Sequence, residues 1–124
     1  MTTAIEPKNL GDLLKFEEES LYSRDEVTVA AGQVLTLGAV VGRNTASGEV
    51  AALDPSATDG TEIAIGVMAE DVDATAAPTQ AVMIARHALV SLPALVSPPG
   101  ITAEQIATAL SQLESRGIVV REGA

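Results

Sequence analysis

Residues 27–42 read VTVAAGQVLTLGAVVG, and with the continuation to Leu53 they decide the fold class. Val27 and Val29 alternate with Thr28 and Ala30, the period of a strand with one face buried. Ala31-Gly32 breaks that run, and Val34–Val41 restarts it with branched residues punctuated by glycine. Arg43-Asn44-Thr45-Ala46-Ser47-Gly48 then collects turn formers, and Glu49–Leu53 reads as a short return strand. The stretch predicts the first sheet of a compact, mainly β body. What precedes it reads as an arm, residues 1–24, and residues 25–124 form the body.

The chain has 124 residues, the size of one domain, enough to bury ~65–70% of its unfolded surface. The bulk of its apolar content is Ala, Val, Leu and Ile, with one Phe, one Tyr and no Trp. A core of such small branched side chains gains from area supplied by partners. Net charge is −10, of which residues 1–26 carry −4 and residues 27–124 carry −6. Nucleic-acid binding needs a basic patch that displaces counterions, and seven Lys/Arg scattered along the chain do not form one. The same argument sets aside anionic membranes. The acidity suits solubility at high local concentration. With no cysteine there is no disulfide framework, thiolate metal site or cysteine nucleophile. Met1–Ala4 has neither a basic n-region nor an apolar h-region, so no secretory signal is expected. Ala81–Val96 is the most apolar run, but Arg86, His87 and Pro93 interrupt it, and it reads as core.

Met1–Asn9 lacks periodicity. Leu10, Leu13, Leu14 and Phe16 precede Glu17-Glu18-Glu19 and the pair Leu21-Tyr22, so helical spacing is possible over Asp12–Leu21, although a helix this short is marginal in water. Asp54–Gly60 is a loop with Asp-Pro and Asp-Gly turn signals, and its acids do not follow calcium-loop spacing. Thr61–Ala69 reads as a buried strand with Ile63, Ile65 and Val67 on one face and Gly66 marking a bulge or close approach. Gln80–Leu92 is one long strand or two meeting near His87. Pro93 and Pro98-Pro99-Gly100 stop the sheet.

Residues 102–116 are a predicted helix. Thr102 and Gln105 form a T-x-x-Q capping box, Ile101 and Ile106 a hydrophobic staple, and Ile106, Leu110 and Leu113 one apolar stripe. Gly117 takes the left-handed position after the helix, letting Ile118 touch Leu113, and Arg116 suits the helix dipole. Ile118–Arg121 returns as a short strand at a sheet edge.

Chemistry has few candidates. Glu70, Asp71 and Asp73 could serve as an acid/base pair or hard-metal ligands, but no His, Lys or Arg stands beside them in sequence. His87 is the only histidine. Ser91 is the one hydroxyl near enough in sequence to be a nucleophile, and no glycine cluster suggests an oxyanion hole. The expectation is a binding and scaffolding protein, not an enzyme, with no cofactor and no metal. The alternative is a small ligand-binding or hydrolytic module using Glu70, Asp71, Asp73 and His87.

The succession Tyr22-Ser23-Arg24-Asp25-Glu26-Val27-Thr28-Val29, then Ala31-Gly32-Gln33-Val34-Leu35 with Gly38, Val40, Val41 and Gly42, resembles the lambda-type phage head decoration protein D family. Asp59-Gly60-Thr61-Glu62, Ala64-Ile65-Gly66-Val67, Glu70–Ala74 and Leu113–Val120 continue the likeness, which spans about residues 10 to 121. The arm differs from the Pro/Ala/Thr-rich opening of the lambda protein. The resemblance implies a β-clip-like body with one C-terminal helix and an extended N-terminal arm. It also implies a homotrimer on the outer surface of the virion, assembled in the host cytoplasm. Such a trimer would sit at local threefold sites of the expanded head and cement neighbouring major capsid subunits. That role would fall on the arm positions Ile5, Leu10, Leu13, Leu14, Phe16, Leu21 and Tyr22, and on the junction residues Ser23, Arg24, Val27 and Val29.

Fixing ~20 arm residues costs on the order of 20–40 kcal/mol, which so few large apolar groups cannot offset in water. The arm is therefore expected to gain its order on another protein's surface, for example by adding a strand to an exposed sheet edge.

Overall fold

A computed structural model describes residues 9–122. The protein is β-rich, with one substantial helix near the C-terminus. Chain order is α1 (Leu10–Leu13), β1 (Leu14–Glu17), α2 (Ser20–Ser23), β2 (Arg24–Val29), β3 (Val34–Leu35), β4 (Val40–Arg43), β5 (Val50–Ala52), β6 (Gly66–Met68), β7 (Val72–Asp73), β8 (Thr79–Ile84), β9 (Ala88–Ser91), a 3₁₀ turn (Leu92–Ala94), α3 (Ala103–Glu114) and β10 (Ile118–Arg121).

The deciding stretch contributes β2, β4 and β5 to a closed barrel, which β6 and β8 complete in the order β2-β5-β4-β6-β8. Val34–Val41 is not one strand. Gly38, at φ +94°, turns the chain, so β3 pairs with β7 in a separate two-stranded sheet while β4 enters the barrel. The expected strand Thr61–Ala69 is likewise shorter. Residues 60–63 form a turn closed by the Ile63 amide on the Gly60 carbonyl, Ala64 and Ile65 are irregular, and the strand proper is Gly66–Met68. Ile63 is consequently exposed, while Ile65 and Val67 are buried.

Runs such as Val40-Val41, Val67-Met68 and Met83-Ile84 lack alternation because both faces of these strands are covered. Successive side chains point to opposite faces. Val41, Met68 and Met83 fill the barrel with Val27, Val29 and Val50. Val40, Val67 and Ile84 stand opposite one another across β4, β6 and β8 and face outward into a second core. That core is closed by Leu113 and Ala109 of α3, by Ala88 and Val90 of β9, by Ile118, and by Leu13.

Helix α3 follows its sequence signals. The Thr102 hydroxyl accepts from the Gln105 amide at 3.1 Å, and the Gln105 side chain accepts from the Thr102 amide at 2.9 Å. Its buried residues are Ala109 and Leu113, with Ile106 and Leu110 only half-buried, so the inward stripe is rotated from the one expected. Gly117 adopts φ +79° after the helix, and Ile118 and Leu113 share one core.

The N-terminal region departs most from expectation. Residues 12–21 do not form a helix: α1 and α2 are single turns with β1 between them. From Asn9 onward the chain lies on its own body, and Leu13 is fully buried there. Residues 1–8, Ile5 among them, lie outside the described residues. Among the described residues no helix is long and apolar enough to cross a membrane.

Candidate docking surface

A three-stranded sheet, β1-β9-β10, sits beside the barrel and holds Leu14 and Phe16 of the residues singled out near the N-terminus. Asn9 and Asp12 form a reciprocal cap, with side-chain–amide distances of 3.2 and 2.9 Å, which starts α1 and directs Leu13 inward. β1 then pairs antiparallel with β9 in the register Leu14↔Val90, Phe16↔Leu89 and Glu17↔Ala88. The shift between Leu14 and Phe16 is a bulge, and it decides what the sheet displays. In a regular strand Leu14 and Phe16 would share a face; the extra residue puts them on opposite ones. Leu14 packs against the core, and Phe16 stands 60% exposed.

β10 runs parallel to β9, with Val119 opposite Leu89 and Ile118 opposite Ala88. Phe16, Leu89 and Val119 therefore line up across three strands on the outer face, while Glu17, Ala88 and Ile118 lie beneath. A groove of about 400 Å³ follows this row, flanked by Glu18, His87 and Arg121. β10 is the last strand of the sheet, and no described strand covers its outer edge. An uncovered edge offers a row of backbone donors and acceptors to an added strand.

The return from β1 to the barrel is fastened by charge. The Glu17 carboxylate accepts from the Ser23 hydroxyl at 2.6 Å, from Arg24 Nε at 3.1 Å and from Arg24 Nη2 at 2.5 Å. The Arg24 hydrogen bonds hold the Glu17 carboxyl below its usual range, against the opposing effect of burial and with help from Ser23; Glu17 raises Arg24 in turn. Ser23 is buried, and its carbonyl accepts from the amides of Ala85 and Arg86. Arg86 pairs with Asp25 at 2.8 Å, which raises the Arg86 pKa, and donates to the Tyr22 carbonyl. The Tyr22 ring lies 5.5 Å from the Arg86 guanidinium and 5.2 Å from the His87 ring.

Because the Glu17 pKa is lowered by folding, its contribution is complete at neutral pH and disappears as pH falls through the folded-state value. The Ser23 carbonyl contacts should therefore open in acid, below the ordinary carboxylate range. Glu17→Gln should cost about 1 kcal/mol at pH 7 and flatten that part of the acid dependence. Amide exchange of Ala85 and Arg86 between pH 7 and pH 3 measures both; a Glu17→Gln protein with the same acid profile as its parent contradicts the fastening role.

The remaining candidates are spread through the fold. Leu10 is half-buried against the outer core, Leu21 falls in α2, and Tyr22 is 48% exposed. Val27 and Val29 are buried inside the barrel, where a partner cannot reach them in the folded chain. Leu89 and Val119 were not foreseen as surface residues, because the parallel β9–β10 pairing that brings them beside Phe16 has no local signature.

Glu70, Asp71, Asp73 and His87 do not assemble into a site. Glu70 accepts from the Val82 amide at 2.7 Å, Asp71 from the Leu37 amide at 2.7 Å, and Asp73 from the amide and hydroxyl of Thr75. Each carboxylate ties down nearby backbone, and the Thr75 hydroxyl and amide hold Asp73 below its usual pKa. His87 adopts φ +48° in the β8–β9 turn and packs over Gly117, where an added Cβ would come within 2.3 Å of its ring. Gln80–Leu92 is thus two strands meeting at His87. Among the described residues no group of three His, Cys, Asp or Glu could hold a metal ion.

Compared with known families, residues 3–118 match the bacteriophage lambda head decoration protein D. The chain belongs to that family. Comparison with curated proteins found no match. Membership makes this a phage head decoration protein, a structural component associated with the capsid of the virion, in a family not known for enzymes. The match runs from residue 3 to residue 118, so it takes in residues ahead of β1 as well as the barrel, β1, β9 and α3.

Proposed function

We propose that this decoration protein is a cement: a homotrimer at local threefold positions on the outer surface of the expanded head, tying neighbouring major capsid subunits together. The observation that carries the reading is the outward row Phe16–Leu89–Val119 beside the open edge of β10, in a member of this family. An apolar row next to an unpaired edge suits an extended segment of a capsid subunit, with backbone pairing supplying affinity and side-chain contacts supplying register. Within residues 1–8, Ile5 is the large apolar side chain besides Met1, and we assign it to contact with a second subunit. Three such attachments per trimer raise the effective concentration of the second and third once the first is made.

Deleting residues 1–22 would remove Leu13 from the core, so the informative variants are a chain lacking residues 1–8 and Phe16→Asp. Each should remain folded and bind expanded heads at least ~10-fold more weakly in co-sedimentation, and the combination should not bind. Full binding by both single variants would refute the attachment mechanism.

A further inference from the structure

Two arginines of this acidic chain share a groove and, among the described residues, lack a carboxylate partner. Arg24 and Arg86 are paired with Glu17 and Asp25. Arg43, at the end of β4, and Arg116, just past α3, are both exposed and line a groove of about 270 Å³ with Gly48, Gly60, Ile63 and Ile65. Among the described residues no carboxylate lies within ion-pair distance of either arginine. Ile63 adds an exposed branched side chain, 45% accessible, on the loop that borders the groove. Its neighbour Glu62 lines a different groove, of about 360 Å³, together with Leu53, Pro55, Glu104 and Ala109. The loop Gly60–Ile63 therefore stands between a basic, apolar surface and an acidic one.

A ring of identical subunits about a threefold axis joins one patch of each protomer to a different patch of the next. Two unlike patches of opposite charge, flanking a single loop, supply such a pair within one chain. They also lie on elements other than the β1-β9-β10 sheet, which leaves that sheet for the capsid. We propose that these grooves form the copy-to-copy interface of the trimer. The Arg43–Ile63–Arg116 groove of each protomer receives the Glu62–Glu104 groove of a second copy, and the Gly60–Ile63 loop lies nearest the axis. This rests on the trimeric reading above. Arginine next to an apolar anchor is a favoured interface composition, and opposite charge sets orientation and excludes the reversed pairing of two acidic faces.

Sedimentation of the full chain over a range of concentrations tests it, with Arg116→Glu, Glu104→Arg, Glu104→Gln and the double variant Arg116→Glu/Glu104→Arg. Each single charge reversal should raise the dissociation constant by at least ~10-fold, and Glu104→Gln, which puts no cation at the start of α3, by about threefold. The double variant should recover most of the loss, because the reversed charges again face each other. Single variants that assemble as tightly as wild type, or a double variant no better than the singles, overturn this interface while the trimer stands. A wild-type chain that sediments as a monomer throughout overturns the trimeric reading as well.

Discussion

Gly42→Ala is expected to destabilise the protein by about 3 kcal/mol, one of the largest effects of any single-atom-scale change in this chain. Gly42 is buried in β4, and a Cβ there would lie 2.6–2.8 Å from the backbone of Thr61. A flexible side chain could move aside; Thr61 cannot. Its carbonyl accepts from the Asp54 amide at 3.0 Å, and its amide and hydroxyl both donate to Asp59, whose pKa falls in consequence. The neighbouring Gly60, at φ +109°, packs against the Arg43 carbonyl. Accommodating a methyl group means pushing the 59–61 turn off β4 and breaking these bonds together. Marginal stability makes 3 kcal/mol a large share of the total. Urea unfolding followed by circular dichroism measures it; a midpoint within error of wild type would show that the turn yields freely.

Leu13→Ala should cost about 3–4 kcal/mol and loosen everything ahead of Ser23. Leu13 is fully buried, in the cluster that also holds Val90, Leu113 and Ile118. Removing its side chain leaves a cavity at the point where α1 meets β9, and the β1–β9 pairing, only a few residues long with a bulge in it, is then held by Leu14 and the Glu17–Arg24 pair. The result distinguishes two pictures of the N-terminal region. If residues 9–23 gain order only on a capsid, the substitution leaves the free protein unchanged. If they are part of the body, as Leu13 and Ser23 are placed, global stability falls and limited proteolysis at Glu17–Glu19 accelerates. Phe16 would lose its fixed orientation at the same time, so binding to heads should weaken even under conditions where the barrel stays folded.

Local chemistry made much of this protein legible. The Thr102/Gln105 box, the left-handed Gly117 and the returning Ile118–Arg121 strand needed only neighbours in the chain, because a cap and a C-terminal glycine act over three or four residues. The turn over Asp54–Gly60 was readable for the same reason, whereas Gln80–Leu92 could be read as one strand or two and only the structure divides it at His87. The strand boundaries were less so. Val34–Val41 and Thr61–Ala69 carry strand composition throughout, yet part of each serves as a turn, since which apolar residues pair depends on the partner strand and not on their own type.

The docking surface was harder still. Phe16 was named among the arm residues from its place near the N-terminus, but its exposure depends on a one-residue bulge against β9, and its companions Leu89 and Val119 come from strands 70 and more residues away. The order β1-β9-β10, the closure of the barrel through β2–β5 and β2–β8, and the pairing of Arg43 with Arg116 in one groove all join distant segments.

By itself the sequence determined the class of the protein: an acidic, cysteine-free, mainly β chain with one C-terminal helix, and through the order of its glycine-punctuated valine runs, its family. Those properties follow from residue type, local spacing and the conformations glycine permits. The tertiary structure alone decided that Leu13 and Ser23 are buried in the folded chain, and that Phe16, Leu89 and Val119 form one outward row. Register between segments far apart in the chain settles both, and register is an energy of pairing and packing that no single stretch contains.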